Sequence, residues 1–184
     1  MDVTIRAAKP GDTDAIAQVH VAAWRAAYRG LVPDAHLDGL DWSEWAAVRR
    51  EWMTSAGSNG VRTLVAVTDT SVIGFVSTGP ERDGDLSTRG AQEVFALYVA
   101  PAAWGQGVGR DLLERAVDDV PPEIVLVLWV LAGNERARAF YERQGFRADG
   151  AASTIQLGGR DLAEVRYRLV RQHSSSQGAK PSDR

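Results

Sequence analysis

The 184-residue chain contains no cysteine. Disulfides, thiolate metal sites and a cysteine acyl-enzyme are therefore excluded, and any group transfer proceeds without a thiol nucleophile. No run of residues approaches the roughly 18 apolar positions of a membrane span, and Met1 to Arg6 lack the apolar core of a signal peptide. A cytoplasmic protein that touches no membrane is expected. Basic excess is missing too: 24 acidic against 21 basic groups leave a net charge of −3, so nothing suggests a surface that grips nucleic-acid phosphates. Internal repeats are absent.

What remains is an ordinary globular composition, 45% hydrophobic and 24% charged, of a length that suits one domain with a real core. That domain is read over residues 1–170. Residues 171–184, with four serines, Gly178 and Pro181 and almost nothing apolar, read as a disordered tail.

The most informative stretch is Val99-Ala100-Pro101-Ala102-Ala103-Trp104-Gly105-Gln106-Gly107-Val108-Gly109-Arg110. A β-rich run ends at a proline turn, three glycines follow at alternate positions, and an amphipathic helix begins at once. Glycines let a backbone approach a ligand closely, and the first N–H groups of a helix lack partners inside it, so a phosphate or pyrophosphate is the natural occupant. Such a turn can equally just cap a helix. The Walker pattern fails for want of Gly-Lys-Ser/Thr, and the glycine spacing does not fit the dinucleotide fingerprint.

Around this turn the chain alternates element types. Residues 3–8 read as a strand, and residues 16–28 repeat apolar side chains at helical spacing, with Asp12 placed to cap that helix. A second helix follows over 43–53, then a hairpin of strands 62–67 and 72–78, and a strand over 93–99. The helix over 107–118 leads to a run apolar on both faces over 124–131, which reads as a central strand. A helix over 135–144 and strands over 146–157 and 162–170 complete the order β-α-α-β-β-β-α-β-α-β-β.

Downstream of the glycine turn stands Asn134-Glu135-Arg136-Ala137-Arg138-Ala139-Phe140-Tyr141-Glu142-Arg143-Gln144-Gly145-Phe146. The two segments together resemble the signatures of the GNAT superfamily of acyl-CoA-dependent N-acyltransferases. Gly107 and Gly109 match the first, and Asn134, Ala137, Phe140, Tyr141, Gly145 and Phe146 match the second. The chain departs at Trp104, where the family usually carries Gln or Arg, which removes a polar contact but leaves a backbone cradle intact.

The resemblance implies an α/β (α+β) GNAT fold: a mixed, mostly antiparallel sheet whose middle strands splay apart, with helices on both faces. It implies N-acetyl transfer from acetyl-CoA, a co-substrate used without a metal, to a primary amine of a small molecule or peptide by direct attack. The pantetheine arm is expected between strands 93–99 and 124–131. Backbone groups of Leu97 and Val99, with Tyr98 between them, would bond it as a neighbouring strand would. Amides of Gly105, Gln106, Gly107, Val108, Gly109 and Arg110 would hold the pyrophosphate, and Asn134 would bond the arm. Partners are an amine acceptor and, at most, a second copy of the chain.

Amide formation needs a proton taken from the amine and one returned to the departing thiolate. Tyr141, seven residues beyond Asn134 and so on the same helix face, is the expected acid; a lone tyrosine there would otherwise be a half-buried core residue. The position that carries a glutamate in some family members, five residues before the Asn, is Trp129. Glu93 is then the candidate base, against the alternatives of an ammonium-binding group or a solvated strand-end glutamate. His20 is a second possibility. Trp24 and Tyr28, four apart on the first helix, either roof the acceptor pocket, where aromatic faces attract ammonium groups, or fill the core. A protein that binds acyl-CoA without catalysis, as a sensor, would keep the glycine turn and Asn134 but have no need of Tyr141.

Overall fold

The computed structural model describes residues 2–54, 60–84, 86, 90–169 and 171, with backbone alone for 52–54. Its elements are β1 (Thr4–Ala7), α1 (Thr13–Ala27), α2 (Asp34–Asp38), α3 (Trp42–Thr54), β2 (Arg62–Val67), β3 (Val72–Pro80), β4 (Gln92–Val99), α4 (Val108–Asp118), β5 (Leu126–Leu131), α5 (Glu135–Arg143), β6 (Phe146–Leu157) and β7 (Arg160–Leu169). This is the order read from the sequence with α2 added. A five-residue helix with only Leu37 buried is too short to show a period. Asp12 does not cap α1 with its side chain. Its carboxylate instead accepts from the Arg6 guanidinium at 2.6 and 2.9 Å and from the Lys9 N–H at 2.7 Å. The tail read over 171–184 lies outside the described residues except for Arg171, which donates to the Val120 carbonyl at 2.7 Å.

The seven strands form one sheet in the order β1-β2-β3-β4-β5-β7-β6. Every neighbouring pair is antiparallel except β4 and β5. Helices cover both faces. On one, α4 buries Val108, Leu112, Leu113 and Ala116 against strand residues including Val76, Leu126 and Phe146. On the other, Ile16 and Val19 of α1 pack on Val65 and Phe75. Burying each such aliphatic side chain contributes about 2 kcal/mol relative to leaving it in water. Gly74 of β3 lets α4 pack close, because a Cβ there would meet Leu112 Cδ1 at 3.0 Å and the Tyr98 carbonyl oxygen at 3.2 Å. No helix among the described residues is long and apolar enough to cross a membrane.

The feature that positions the site is a break in the middle of this sheet. β4 and β5 pair only through Gln92 with Leu126 and Glu93 with Val127, and then separate. A register shift against β3 leaves Phe95 unpaired between Val94 and Ala96. Such a bulge bends and twists its strand, turning the rest of β4 away from β5. On its far side β5 stays paired with β7 as far as Leu131 and Glu164.

Candidate active site

The separation opens a cavity of about 800 Å³ between the outer halves of β4 and β5. Strand alternation decides which β4 groups face it. Ala100 N–H donates to the Ile73 carbonyl at 2.8 Å, so Ala100 and, two residues back, Tyr98 direct their backbone groups at β3. Those of Leu97 and Val99 point into the gap. The Val99 carbonyl is already taken, accepting a hydrogen bond from Trp104 Nε1 at 2.7 Å. Tyr98 contributes no amide to the gap.

At the mouth of the gap, the Pro101–Ala103 turn and positive φ angles at Gly105 (78°) and Gly107 (88°) deliver the chain into α4. Glycine at the N-cap offers no side-chain acceptor. The N–H groups of Val108, Gly109 and Arg110 therefore have no partner among the described residues, which leaves a concentrated set of donors at the positive end of the helix dipole. Gln106 turns its side chain back to the Ala102 carbonyl at 3.0 Å. Trp104, the departure from the family pattern, carries the Arg136 guanidinium 4.0 Å above its ring. Arg136 has no carboxylate partner among the described residues and lines the cavity. Sequence reasoning missed it, although an Arg two residues after Asn134 was the available signal.

Asn134 is 8% exposed and is the N-cap of α5, its Oδ1 accepting from the Ala137 N–H at 3.1 Å. Only its Nδ2 is left to donate into the cavity that it lines. Tyr141 lines the same cavity, held edge-on by Phe140 and Phe146 at 5.2 and 5.9 Å between ring centroids. Burial raises the pKa of its phenol well above the ordinary value, with a smaller push from Tyr28. Tyr28 in turn meets the Tyr98 hydroxyl at 3.4 Å and packs edge-on against Trp24 at 4.9 Å. Both Trp24 and Tyr28 line the cavity.

Where the strands part, Glu93 is buried, 1% exposed. Its carboxylate accepts from Arg82 three times: from the backbone N–H at 3.3 Å, from Nε at 3.0 Å and from Nη2 at 2.5 Å. Two further carboxylates share this part of the wall. Asp83 accepts from Trp129 Nε1 at 2.8 Å and from Arg166 at 3.3 Å. Glu164 of β7, half-buried, has no hydrogen-bond or ion-pair partner among the described residues. It was not legible as a site residue in the sequence.

His20 stays outside the cavity. Its ring stacks on Tyr98 at 4.8 Å and lies 4.4 Å from Trp45, and Nε2 has no partner among the described residues. Burial, assisted by the Arg49 charge, pushes its pKa down to about 4. The unfolded chain takes up that proton near 6.5, so between pH 6.5 and 4 the unfolded state binds more protons and stability falls as pH falls. Urea unfolding at pH 7.5 and pH 5 is expected to show His20→Phe sparing the fold about 2 kcal/mol of the wild type's acid loss. An equal loss in both proteins would place the titration elsewhere.

The comparisons with known proteins agree with this fold. Residues 17–146 match the model of the acetyltransferase (GNAT) family. A probable N-acetyltransferase of Mycobacterium tuberculosis is 32% identical over 171 residues, 92% of this chain and 95% of that protein. A peptidyl-lysine N-acetyltransferase of Escherichia coli is 37% identical over 67 residues, 36% of this chain and 44% of that one. The crystal structure of the PaiA N-acetyltransferase of Thermoplasma acidophilum, in complex with coenzyme A, shares the fold at a TM-score of 0.72 and 19% identity, covering 93% of this chain and 100% of that one. Fold and cavity together are those of an acetyltransferase. The chain belongs to the GNAT acetyltransferase family.

Proposed function

We propose that this acetyltransferase moves the acetyl group of acetyl-CoA to a primary amine of a small molecule or peptide by direct attack within a ternary complex. The observation that carries the reading is that one cavity brings together the Leu97 backbone groups and Val99 N–H on the edge of β4, the unpartnered N–H groups of α4 and the Tyr141 hydroxyl. Acetyl-CoA supplies an acyl carbon activated as a thioester. Val108, Gly109 and Arg110 N–H groups hold the pyrophosphate, and Arg136 reaches the same phosphates from α5 in place of the side chain that Trp104 replaced. Leu97 and the Val99 N–H bond the amides of the pantetheine arm, and Asn134 Nδ2 adds a donor.

The acceptor enters beneath Trp24 and Tyr28, beside a wall holding Glu93, Asp83 and Glu164. Aromatic faces and carboxylates together select a cationic amine over a neutral one. Tyr141, kept neutral by burial, protonates the departing thiolate. Thiol release measured over a panel of alkylamines, polyamines and lysine peptides is expected to show turnover with cationic primary amines and none with matched alcohols. Acetyl-CoA binding without thiol release from any amine would leave a silent acyl-CoA-binding protein, and no binding at all would overturn the reading.

A further inference from the structure

Among the described residues three carboxylates line the acceptor side of the cavity, and they are not equivalent. Glu93 is committed: its two oxygens receive three hydrogen bonds from Arg82, and it is 1% exposed. Asp83 is committed to Trp129 and Arg166, and Arg166 is shared with Asp149 at 2.8 Å. Of these, Glu164 faces the cavity with no hydrogen-bond or ion-pair partner among the described residues. It stands there because β7 inserts between β5 and β6, pairing Glu164 with Leu131 on one side and Ser153 on the other.

Glu164 also sits within electrostatic reach of the phenol cluster. Its charge adds to the burial that raises the pKa of the Tyr28 hydroxyl, which lies 3.4 Å from the hydroxyl of Tyr98.

We propose that Glu164 is the group that takes the proton from the acceptor ammonium, with Glu93 a positioning residue that anchors Arg82 beside it. This rests on the acetyl-transfer reading above. The N–H bond of the ammonium breaks as an O–H bond forms on Glu164. The nitrogen then bonds to the thioester carbonyl carbon, the C–S bond breaks, and the sulfur takes a proton from Tyr141. The nitrogen's second proton, shed as the adduct collapses, restores the Tyr141 phenol. The single proton left on Glu164 passes to solvent, which balances amine, thioester, amide and thiol.

The groups facing Glu164 set its titration. Burial raises its pKa above the ordinary glutamate range; Arg82 opposes the shift, and the Glu93 and Asp83 charges add to it. The Tyr28 phenol lies within reach of its charge. A base must be ionised to act, so kcat/KM falls on the acid side with a midpoint above the usual carboxylate range.

The test is the pH profile of kcat/KM with the best amine of the panel, for wild type, Glu164→Gln, Glu164→Asp and Glu93→Gln, each checked for acetyl-CoA binding by calorimetry. Glu164→Gln is expected to lose roughly 10²-fold in kcat/KM together with the acid limb, and Glu164→Asp to restore part of both. Glu93→Gln is expected to keep the limb and move it to lower pH. It removes a like charge and releases Arg82 toward Glu164, and both effects favour the ionised carboxylate. A limb that persists in Glu164→Gln, or one abolished by Glu93→Gln alone, overturns the assignment. So does a Glu164→Gln effect confined to KM for the amine, which would make Glu164 an ammonium binder. Inactive wild type would instead sink the acetyl-transfer reading.

Discussion

Gly107→Asp is expected to weaken coenzyme A binding by at least 100-fold. The substitution sets a carboxylate at the N-cap of α4, where the proposed pyrophosphate lies. Two like charges about 4 Å apart repel by about 4 kcal/mol at an effective dielectric constant of 20. The new side chain also begins 3.3 Å from the Arg110 guanidinium and draws that cation to itself. Backbone strain at a φ of 88° costs of order 1 kcal/mol of stability in the free and bound protein alike, less for Asp than for most residues. Gly107→Asn carries the same strain without the charge and is expected to lose only a few-fold. Arg136→Ala, which removes one cation and leaves the cradle, should fall between them at roughly 10-fold. Calorimetric titration of the three variants, with thermal melts to confirm folding, checks the order. Equal binding by Gly107→Asp and wild type would place the phosphates elsewhere.

Tyr141→Phe is expected to lower kcat by roughly 10²-fold or more under chemistry-limited conditions, the usual worth of a positioned proton donor. Affinity for acetyl-CoA should hardly change, because the ring keeps its packing against Phe140 and Phe146 and only the hydroxyl is lost. The sign of the pH effect follows from burial. A desolvated phenol resists ionisation, so wild-type activity should show no basic limb from this group below pH 9. The variant should reproduce the wild-type profile at lower amplitude. Undiminished kcat would remove Tyr141 from the chemistry, and a loss confined to acetyl-CoA affinity would make it a binding residue.

Local pattern was enough for the scaffold. The apolar run at 124–131 read as a central strand because both its faces are covered, and in the structure β5 lies between β4 and β7. The glycine turn announced a helix with exposed N–H groups because alternate glycines before an amphipathic stretch have few other conformations to serve. Asn134 and Tyr141 fell on one helix face by counting residues. Each of these depends on neighbours within one or two turns of chain.

What the carboxylates do could not be read that way. Whether Glu93 is free or tied depends on Arg82, which reaches it only because β3 and β4 run antiparallel and place Pro80 beside Gln92. Glu164 joins the cavity only because β7 is inserted between β5 and β6. Tyr98 loses its amide to β3, while Leu97 and Val99 keep theirs for the gap, through the pairing of one strand edge. Trp104 reads in the sequence as a lost polar contact, yet in the fold it seats Arg136. The sequence by itself determined the order of every element but α2 and the glycine turn that opens α4, products of short-range sterics and hydrophobic period, and its two motifs carried the family resemblance. Only the tertiary structure decided which charge meets which, because electrostatic partners are chosen by strand order and burial across distant segments of the chain.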